Sequence, residues 1–372
     1  MIFDKNFINQ YLLFTFALPF LATLIYSFED RLIRNFEFYI FLILLALSSY
    51  AIIISNNLLL IYIFFEISTL ATWRLVLIKR ENIKAGNYLL YFNFAGAILM
   101  LIGISLLLIE NGIENITFEA FDLRNIYHIS FLSGILLSCG IFTKSAIIPF
   151  YNWLPIVYEV SPIPIIALLC GIAENLGLIL FYKIFISNWL EMEISFYHFI
   201  IILAIFTSII AGGIAYFEKE LKRILAYSTI SQLSFILFGL ALKNDIGIIG
   251  AFILILSHAL AKPGLFYKME AKEDGSVNFG LALLSLSLMG IPPFLGFIGK
   301  LLIIIGSLKL NILLGVSAII SSLFTLLYSL KFYPLLKKEK GENIIATSIV
   351  YIFGLLLLIL GTLFLIYFLK IL

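Results

Sequence analysis

The chain has 372 residues, of which 62% are hydrophobic and only 12% are charged, and its mean hydropathy is +1.12. An ordinary soluble domain carries about 25% charged residues, so this composition excludes a soluble globular protein and is typical of a polytopic membrane protein. The formal net charge of +2 gives no indication of a nucleic-acid partner.

In chain order, the sequence contains about twelve apolar runs, each near the roughly 20 residues that a membrane-spanning helix needs. Nearly continuous apolar content favours helices, because barrel strands would alternate. Charged residues rather than a cleavage site follow the first run, which we expect to be a retained helix. The runs are 7–28, 36–54, 57–79, 86–109, 129–148, 161–183, 196–217, 224–241, 246–267, 278–305, 311–333 and 344–369.

Prolines in or directly after two of these runs predict a broken helix. Pro149 follows Lys144 by five residues at the end of the fifth run, and the pair Pro292 and Pro293 precedes Lys300 in the tenth. Proline removes a backbone donor, and non-helical backbone at membrane depth is tolerated only inside protein or along a wet cavity. Breaks at corresponding positions of two halves are typical of transporter repeats.

The sequence therefore predicts an all-α polytopic membrane protein with two inverted five-helix repeats, each containing a proline-broken helix. An N-terminal transmembrane helix lies within 1–35 and a C-terminal one within 344–372. The first repeat covers 36–183 and the second covers 196–333. The runs leave no room for a soluble domain.

Lysine and arginine concentrate in the loops that follow odd-numbered spans. Examples are Lys79, Lys219 and Lys272. Loops after even-numbered spans carry about one basic residue each. Because basic loops stay on the cytoplasmic side, we expect a multi-pass protein of the cell membrane with both termini outside. The remaining odd-loop residues are Arg31, Arg34, Arg80, Lys84, Lys222, Arg223, Lys268, Lys337, Lys338 and Lys340, and the even-loop residues are Arg124, Lys183 and Lys243.

Among the ionisable residues inside the apolar runs, six are candidates for function, because a charge at the bilayer centre costs roughly 2.5–3.5 kcal/mol. His258 and Lys262 lie four residues apart and therefore share one helical face. Because this cost is incurred in five different spans, we interpret these residues as functional and expect them to form a proton relay across the bundle. The six residues are Glu66, Lys144, Glu174, His258, Lys262 and Lys300.

Each of these residues also has a structural interpretation. Lys144 would extend its ammonium group to an interface, and Lys300 would lie near one if the double proline begins its helix. Glu66 and Glu174 would pair with a lysine of a neighbouring helix, and His258 would be a hydrogen-bonded core residue.

The relay hypothesis has a simple physical basis. A medium of low dielectric penalises the charged form of lysine, whereas a nearby carboxylate stabilises it. A Glu–Lys pair whose separation changes would therefore switch the lysine between holding and releasing a proton. Alternating access of two inverted units would gate the relay.

Four motifs in order resemble the antiporter-like membrane subunits of respiratory complex I, Mrp cation/proton antiporters and energy-converting hydrogenases. They are "TKSAIIPFYNWLPIVYEVSPIPIIALL" at 143–169, "ELKRILAYSTISQLSF" at 220–235, "SHALAKPGLF" at 257–266 and "GIPPFLGFIGK" at 290–300. The resemblance covers about 40–335 and implies the same two inverted units in a short variant of the family.

The resemblance also implies roles for individual residues. Glu66 corresponds to the glutamate paired with Lys144, and Lys262 to the central lysine with His258 beside it. Lys300 corresponds to the terminal lysine that connects to one membrane face or to the next subunit.

This chain departs from the family pattern in the sixth run. Cys170 and Asn175 stand where many members have a basic residue, and Glu174 lies between them. Glu174 either carries protons itself, or binds a cation such as Na⁺, or marks a lost half-channel.

Three functions remain open at this stage. The chain is a proton- or Na⁺-translocating subunit of a redox-driven complex, a subunit of a cation/proton antiporter, or a structural membrane subunit. The sequence contains no dinucleotide fingerprint, P-loop or cysteine cluster, so we expect no cofactor or metal of its own. Any oxidoreductase activity would therefore belong to partner subunits, with electron transfer in a neighbouring hydrophilic arm. The other expected partners are membrane-arm subunits of a multisubunit complex, membrane lipid and the carried ion, H⁺ or Na⁺.

Overall fold

The computed structural model describes residues 5–29, 35–79, 82–112, 117–187 and 191–371. Arg31, Arg34 and Arg80 lie outside these described residues. The α-helices are α1 Lys5–Tyr26, α2 Phe36–Ile54, α3 Leu58–Val76, α4 Ile83–Glu110, α5 Phe131–Lys144, α6 Trp153–Val160, α7 Ile163–Leu168, α8 Asn175–Phe181, α9 Ile194–Phe217, α10 Leu221–Ala241, α11 Asp245–Tyr267, α12 Gly275–Met289, α13 Leu295–Leu310, α14 Ile312–Lys338 and α15 Ile344–Ile371.

The helices confirm the predicted all-α membrane fold. Within the described ranges, 10 helical segments are long and apolar enough to cross a membrane. Two shorter apolar helices, α5 and α12, belong to the broken spans. The prediction of about twelve spans is consistent with this arrangement, because each broken span consists of two shorter helices.

Both predicted breaks are present. Helix α5 ends at Lys144 and α6 begins only at Trp153, while α12 ends at Met289 and α13 begins at Leu295. A cis peptide bond precedes Pro149 in the first break and Pro293 in the second. Each break therefore leaves the C-terminal end of a helix within the bundle, with carbonyl groups that have no partner in their own helix.

Three spans form the centre of the bundle. In the span Ile163–Ile186, which contains α7 and α8, 100% of the most apolar stretch is buried inside the protein. The corresponding shares are 94% for α10 and 83% for α11. Helices α14 and α15 are only 33% buried and present apolar side chains on the outside. Such an apolar exterior is expected for a surface that faces lipid.

Loops pair with one another at two places. The loop after α11 pairs with the loop after α14, because the Lys272 amide donates to the Asn343 carbonyl at 3.1 Å. Lys340 in the second loop pairs with Glu273 in the first at 2.7 Å. Elsewhere, strand β1 (His128–Ile129) pairs in parallel with strand β2 (Glu191–Met192).

The structure corrects the assignment of Lys183 to a loop. Lys183 lies in a π-helical segment, Tyr182–Ile186, and only 4% of the residue is exposed. Its ammonium group donates to the carbonyls of Ile52 and Ile53, both at 2.7 Å. These carbonyls belong to the last turn of α2, so the lysine caps the end of that helix.

Candidate functional site

Lys144 is the last residue of α5, directly before the first break. It is 3% exposed, and its ammonium group donates to the hydroxyls of Ser68 at 2.9 Å and Thr69 at 3.0 Å. The ammonium also lies 5.2 Å from the centre of the Phe65 ring. The C-terminal end of a helix favours a positive charge, so the break and the hydroxyls together offset part of the cost of burial.

Glu66 lies on α3, close to the hydroxyls that bind Lys144. The charges of Glu66 and Lys144 interact, but the hydrogen bonds of the lysine go to Ser68 and Thr69 rather than to the carboxylate. Oε1 of Glu66 is buried without a hydrogen-bond partner. The pair expected from the sequence is therefore present as a charge interaction and not as a direct ion pair.

Glu174 follows a π-helical turn, Leu169–Ala173, that interrupts the central span. Its Oε1 accepts a hydrogen bond from the Tyr158 hydroxyl at 2.8 Å, whereas its Oε2 is buried without a partner. Its carbonyl accepts a hydrogen bond from Ser145, the residue after Lys144, also at 2.8 Å. Glu174 therefore adjoins the first break and also interacts electrostatically with Lys262.

A glycine makes the contact between Glu174 and the first break possible. A Cβ atom on Gly177 would lie 2.2 Å from Oγ of Ser145. A larger residue at this position of α8 would push the helix away from Ser145. Because Gly177, three residues after Glu174, has no side chain, the central span can approach the end of α5.

Lys262 and His258 lie on the same face of α11, as their spacing predicts, and both are buried. The Lys262 ammonium donates to the Leu225 carbonyl at 3.0 Å and to the Ser228 hydroxyl, both on α10. Neither ring nitrogen of His258 has a hydrogen-bond partner among the described residues. No described protein group supplies the hydrogen bond that the structural interpretation of His258 requires.

Lys300 lies in the second turn of α13 and is 4% exposed, so it does not reach an interface. Its ammonium donates to the Leu288 carbonyl at 2.6 Å and to the Thr325 hydroxyl at 2.5 Å. Leu288 lies at the C-terminal end of α12, so both breaks place a lysine at a helix end. The hydrogen bonds of Lys300 do not reach Lys262 or His258, and the residue stands apart from the others.

Sequence reasoning missed the hydroxyl groups that bind each buried charge. Ser68, Ser228 and Thr325 each accept a hydrogen bond from a buried lysine, and Tyr158 donates one to Glu174. Serine and threonine are common in membrane helices, so their presence alone does not distinguish these positions. The proximity of Ser68 to Glu66 was the one signal available in the sequence.

The ionisable side chains of the described residues can also be compared with metal-ligand sets. Over the ranges that the structure describes, no group of three or more His, Cys, Asp and Glu side chains is placed to hold a metal ion. The buried charges instead contact hydroxyls and helix-end carbonyls. Such surroundings suit groups that exchange protons with polar neighbours.

Two broken helices and a row of buried acids and bases define a polytopic membrane protein of the transporter class. Residues 55–280 match the family model described as NADH:quinone oxidoreductase/Mrp antiporter, transmembrane. This match covers more than half of the chain, and the chain belongs to that family. The family resemblance drawn from the four sequence motifs is thereby confirmed.

One curated relative is the NADH-quinone oxidoreductase subunit N of Parvibaculum lavamentivorans. It is 25% identical over 333 residues, which cover 83% of this chain and 69% of the relative. Two solved structures share the fold. The Mrp complex from Dietzia sp. has a TM-score of 0.81 at 19% identity and covers 96% of this chain and 80% of the matched chain. Respiratory complex I from Thermus thermophilus has a TM-score of 0.79 at 22% identity and covers 97% of this chain and 84% of the matched chain.

Proposed function

We propose that this chain is a proton-translocating membrane subunit of a redox-driven complex of the quinone oxidoreductase or hydrogenase kind. The observation that carries the proposal is the burial of Lys144, Glu174 and Lys262 on neighbouring helices, with Lys144 bound to hydroxyls beside Glu66 and the backbone of Glu174 bound to the residue after Lys144. The subunit would contain the proton route, while electron transfer takes place in partner subunits.

The geometry supports a specific order of events in the first half. Lys144 has Ser68 and Thr69 on the side of Glu66, and the next residue, Ser145, donates to the backbone carbonyl of Glu174. Water would have to join Lys144 to the Glu174 carboxyl. When the Glu66 charge is close, it stabilises the ammonium form of Lys144. When that charge moves away or is neutralised, the lysine releases a proton toward Glu174.

The second half would take up the proton at Lys262. This lysine interacts with the charge of Glu174 and with that of His258. His258 has two free ring nitrogens and is one turn away on the same face, so it would be the next acceptor. Lys300, which makes no direct contact with this group, would receive the proton through water.

One observation favours a second candidate function. The Mrp complex shares the fold over 96% of this chain, and an antiporter subunit needs no redox partner. In that case the same residues would couple proton movement to a cation such as Na⁺. Ion exchange driven by a pH gradient without any electron donor would select this alternative.

The proposal includes an orientation and a set of partners. The basic loops that contain Lys219, Lys272 and Lys340 would face the cytoplasm, which places both termini outside the cell. The relatives are subunits of multisubunit membrane complexes. Other membrane-arm subunits and lipid would therefore cover the apolar exterior.

The test is ion pumping by the assembled complex in lipid vesicles. Lys144→Ala and Lys262→Ala are each expected to abolish proton uptake per electron while the subunit still assembles. Lys309→Ala, which removes an exposed lysine from the end of α13, is the matched control and should pump normally. Normal pumping by both Lys144→Ala and Lys262→Ala would overturn the proposal and favour a structural role.

A further inference from the structure

The side chain of Glu174 is held on one side only. Its Oε1 accepts a hydrogen bond of 2.8 Å from the Tyr158 hydroxyl, and its Oε2 is buried without a partner. A buried carboxylate oxygen without a partner is unfavourable in a purely structural site. The Tyr158 hydroxyl is therefore the one direct hydrogen-bond link from this carboxyl group to the rest of the described bundle.

Tyr158 lies between the two groups of buried charges. It belongs to α6, which follows the first break, and it is fully buried. The edge of its ring faces Phe266 of α11, with ring centres 5.2 Å apart and planes at 86°. Helix α6 also packs against α10, which carries the hydroxyls next to Lys262.

Two neighbouring hydroxyls continue the path beyond Tyr158. Thr229 Oγ1 is buried beside the Tyr158 hydroxyl but has no hydrogen-bond partner of normal length. The preceding residue, Ser228, accepts a hydrogen bond from Lys262. The hydroxyl of Tyr158 thus has the Glu174 carboxyl on one side and Thr229 on the other. Ser228, the neighbour of Thr229 in α10, donates to the Leu225 carbonyl at 2.8 Å, so water would have to join the two hydroxyls during transfer.

We propose that Tyr158 transfers the proton between the two halves, so that Glu174, Tyr158, Thr229 and Ser228 together replace a basic bridge residue. This inference rests on the proposed function. A tyrosine hydroxyl both donates and accepts a hydrogen bond, so it can pass on a proton without holding a net charge.

The transfer balances atom by atom. Protonated Glu174 gives its proton to the Tyr158 oxygen, and Tyr158 releases its own hydroxyl proton toward Thr229 and Ser228. Each hydroxyl gains one proton and loses one, and the neutral amine of Lys262 gains one. The cycle closes when all three hydroxyls turn back, so that Tyr158 again donates to Glu174 and Ser228 again donates to the Leu225 carbonyl.

Tyr158→Phe is the direct test, because it removes one oxygen atom and keeps the ring against Phe266. Proton transfer by a positioned group contributes about 10²–10⁴-fold to a rate, so we expect proton uptake per electron to fall at least about tenfold. Tyr197→Phe is the matched control. It also removes a buried hydroxyl, one that donates to the Phe185 carbonyl at 2.7 Å, and it should pump normally.

Infrared spectroscopy adds a readout that a packing role would not change. The C=O band of protonated Glu174, identified by its absence in Glu174→Gln, should move to higher wavenumber in Tyr158→Phe because a hydrogen bond is lost. Tyr197→Phe should leave the band in place. Normal pumping in Tyr158→Phe would overturn the inference, and so would an unchanged band.

The outcomes separate this inference from the proposed function. If Lys262→Ala abolishes pumping and Tyr158→Phe does not, the bridge is wrong and the proposed function stands. If neither variant affects pumping, the proposed function fails. If Tyr158→Phe does not assemble, 3-fluorotyrosine at position 158 retains the hydroxyl and makes it more acidic. The pH profile of pumping should then shift, and an unchanged profile would overturn the bridge.

Discussion

The ammonium group of Lys144 donates to the Ser68 hydroxyl at 2.9 Å and not to Glu66, two residues earlier on the same helix. A direct ion pair would hold the two charges together and resist separation. Hydroxyl groups keep the lysine solvated while its interaction with Glu66 remains electrostatic and adjustable. A change in the position or charge of Glu66 can therefore alter the protonation of Lys144 without breaking a bond between them.

The first prediction concerns the two hydroxyls that bind Lys144. Ser68→Ala combined with Thr69→Val removes both hydrogen bonds to the ammonium group. Each hydrogen bond to a charged group contributes about 1.5–3 kcal/mol, so the charged form of Lys144 loses much of its stabilisation. We expect proton uptake per electron to fall at least about tenfold in vesicles, with a smaller loss in each single variant.

Ser105→Ala provides the control for this pair. Ser105 donates to the Leu101 carbonyl within the same helix and is exposed on α4. Its loss should change neither assembly nor pumping. Full activity of the double variant would show that the hydroxyls only fill space.

His258 gives a prediction in which activity changes and stability does not. Among the described residues its two buried ring nitrogens have no protein partner, and the account places water there. His258→Leu should therefore lower pumping while the free energy of unfolding stays within about 1 kcal/mol of that of the unaltered protein, because no protein group loses a hydrogen bond. Thermal unfolding of the complex and proton uptake measure the two effects. Reduced stability in His258→Leu would mean that the ring has a structural partner.

Gly290 tests the position of Lys300. Gly290 caps α12 with φ +79°, and a Cβ atom there would lie 2.9 Å from Cδ and 3.3 Å from Nζ of Lys300. Gly290→Ala adds backbone strain of about 1–2 kcal/mol and displaces the lysine. We expect lower thermal stability and impaired pumping. Gly275→Ala, at the open start of the same helix, is the control and should match the unaltered protein.

Lys183 is expected to matter for stability alone. Lys183→Met leaves the carbonyls of Ile52 and Ile53 without their donor, and each unsatisfied buried carbonyl costs about 1–3 kcal/mol. The yield of assembled complex should fall, while pumping per assembled complex should stay normal. A specific loss of pumping would place Lys183 in the proton route. Lys309→Met, at an exposed position, should affect neither quantity.

The spans and both breaks were predictable because they depend on local sequence. The length of an apolar run decides whether a helix spans the membrane, and Pro149 and Pro293 interrupt their helices through the backbone itself. Lys144 and Lys262 were found for a similar reason, since a lysine inside an apolar run is costly wherever it faces. These properties do not require knowledge of how helices pack.

The contacts between helices were not predictable from one sequence. Tyr158 meets Glu174 only because α6 folds back after the first break toward the central span. Lys183 seemed to lie in a loop because its run ends there, yet packing turns it toward the end of α2. Hydroxyls such as Ser228 carry no signal of their own, because many serines in membrane helices bond to their own backbone.

The most direct test of the central claim is an experimental density map of the assembled complex that resolves water. The account predicts ordered water at Oε2 of Glu174 and at the ring nitrogens of His258, joining them to Lys144, Lys262 and Lys300. Buried polar atoms without protein partners are where water is expected. A dry, apolar-filled gap around these atoms, with each lysine held only by its own helix ends, would contradict the account.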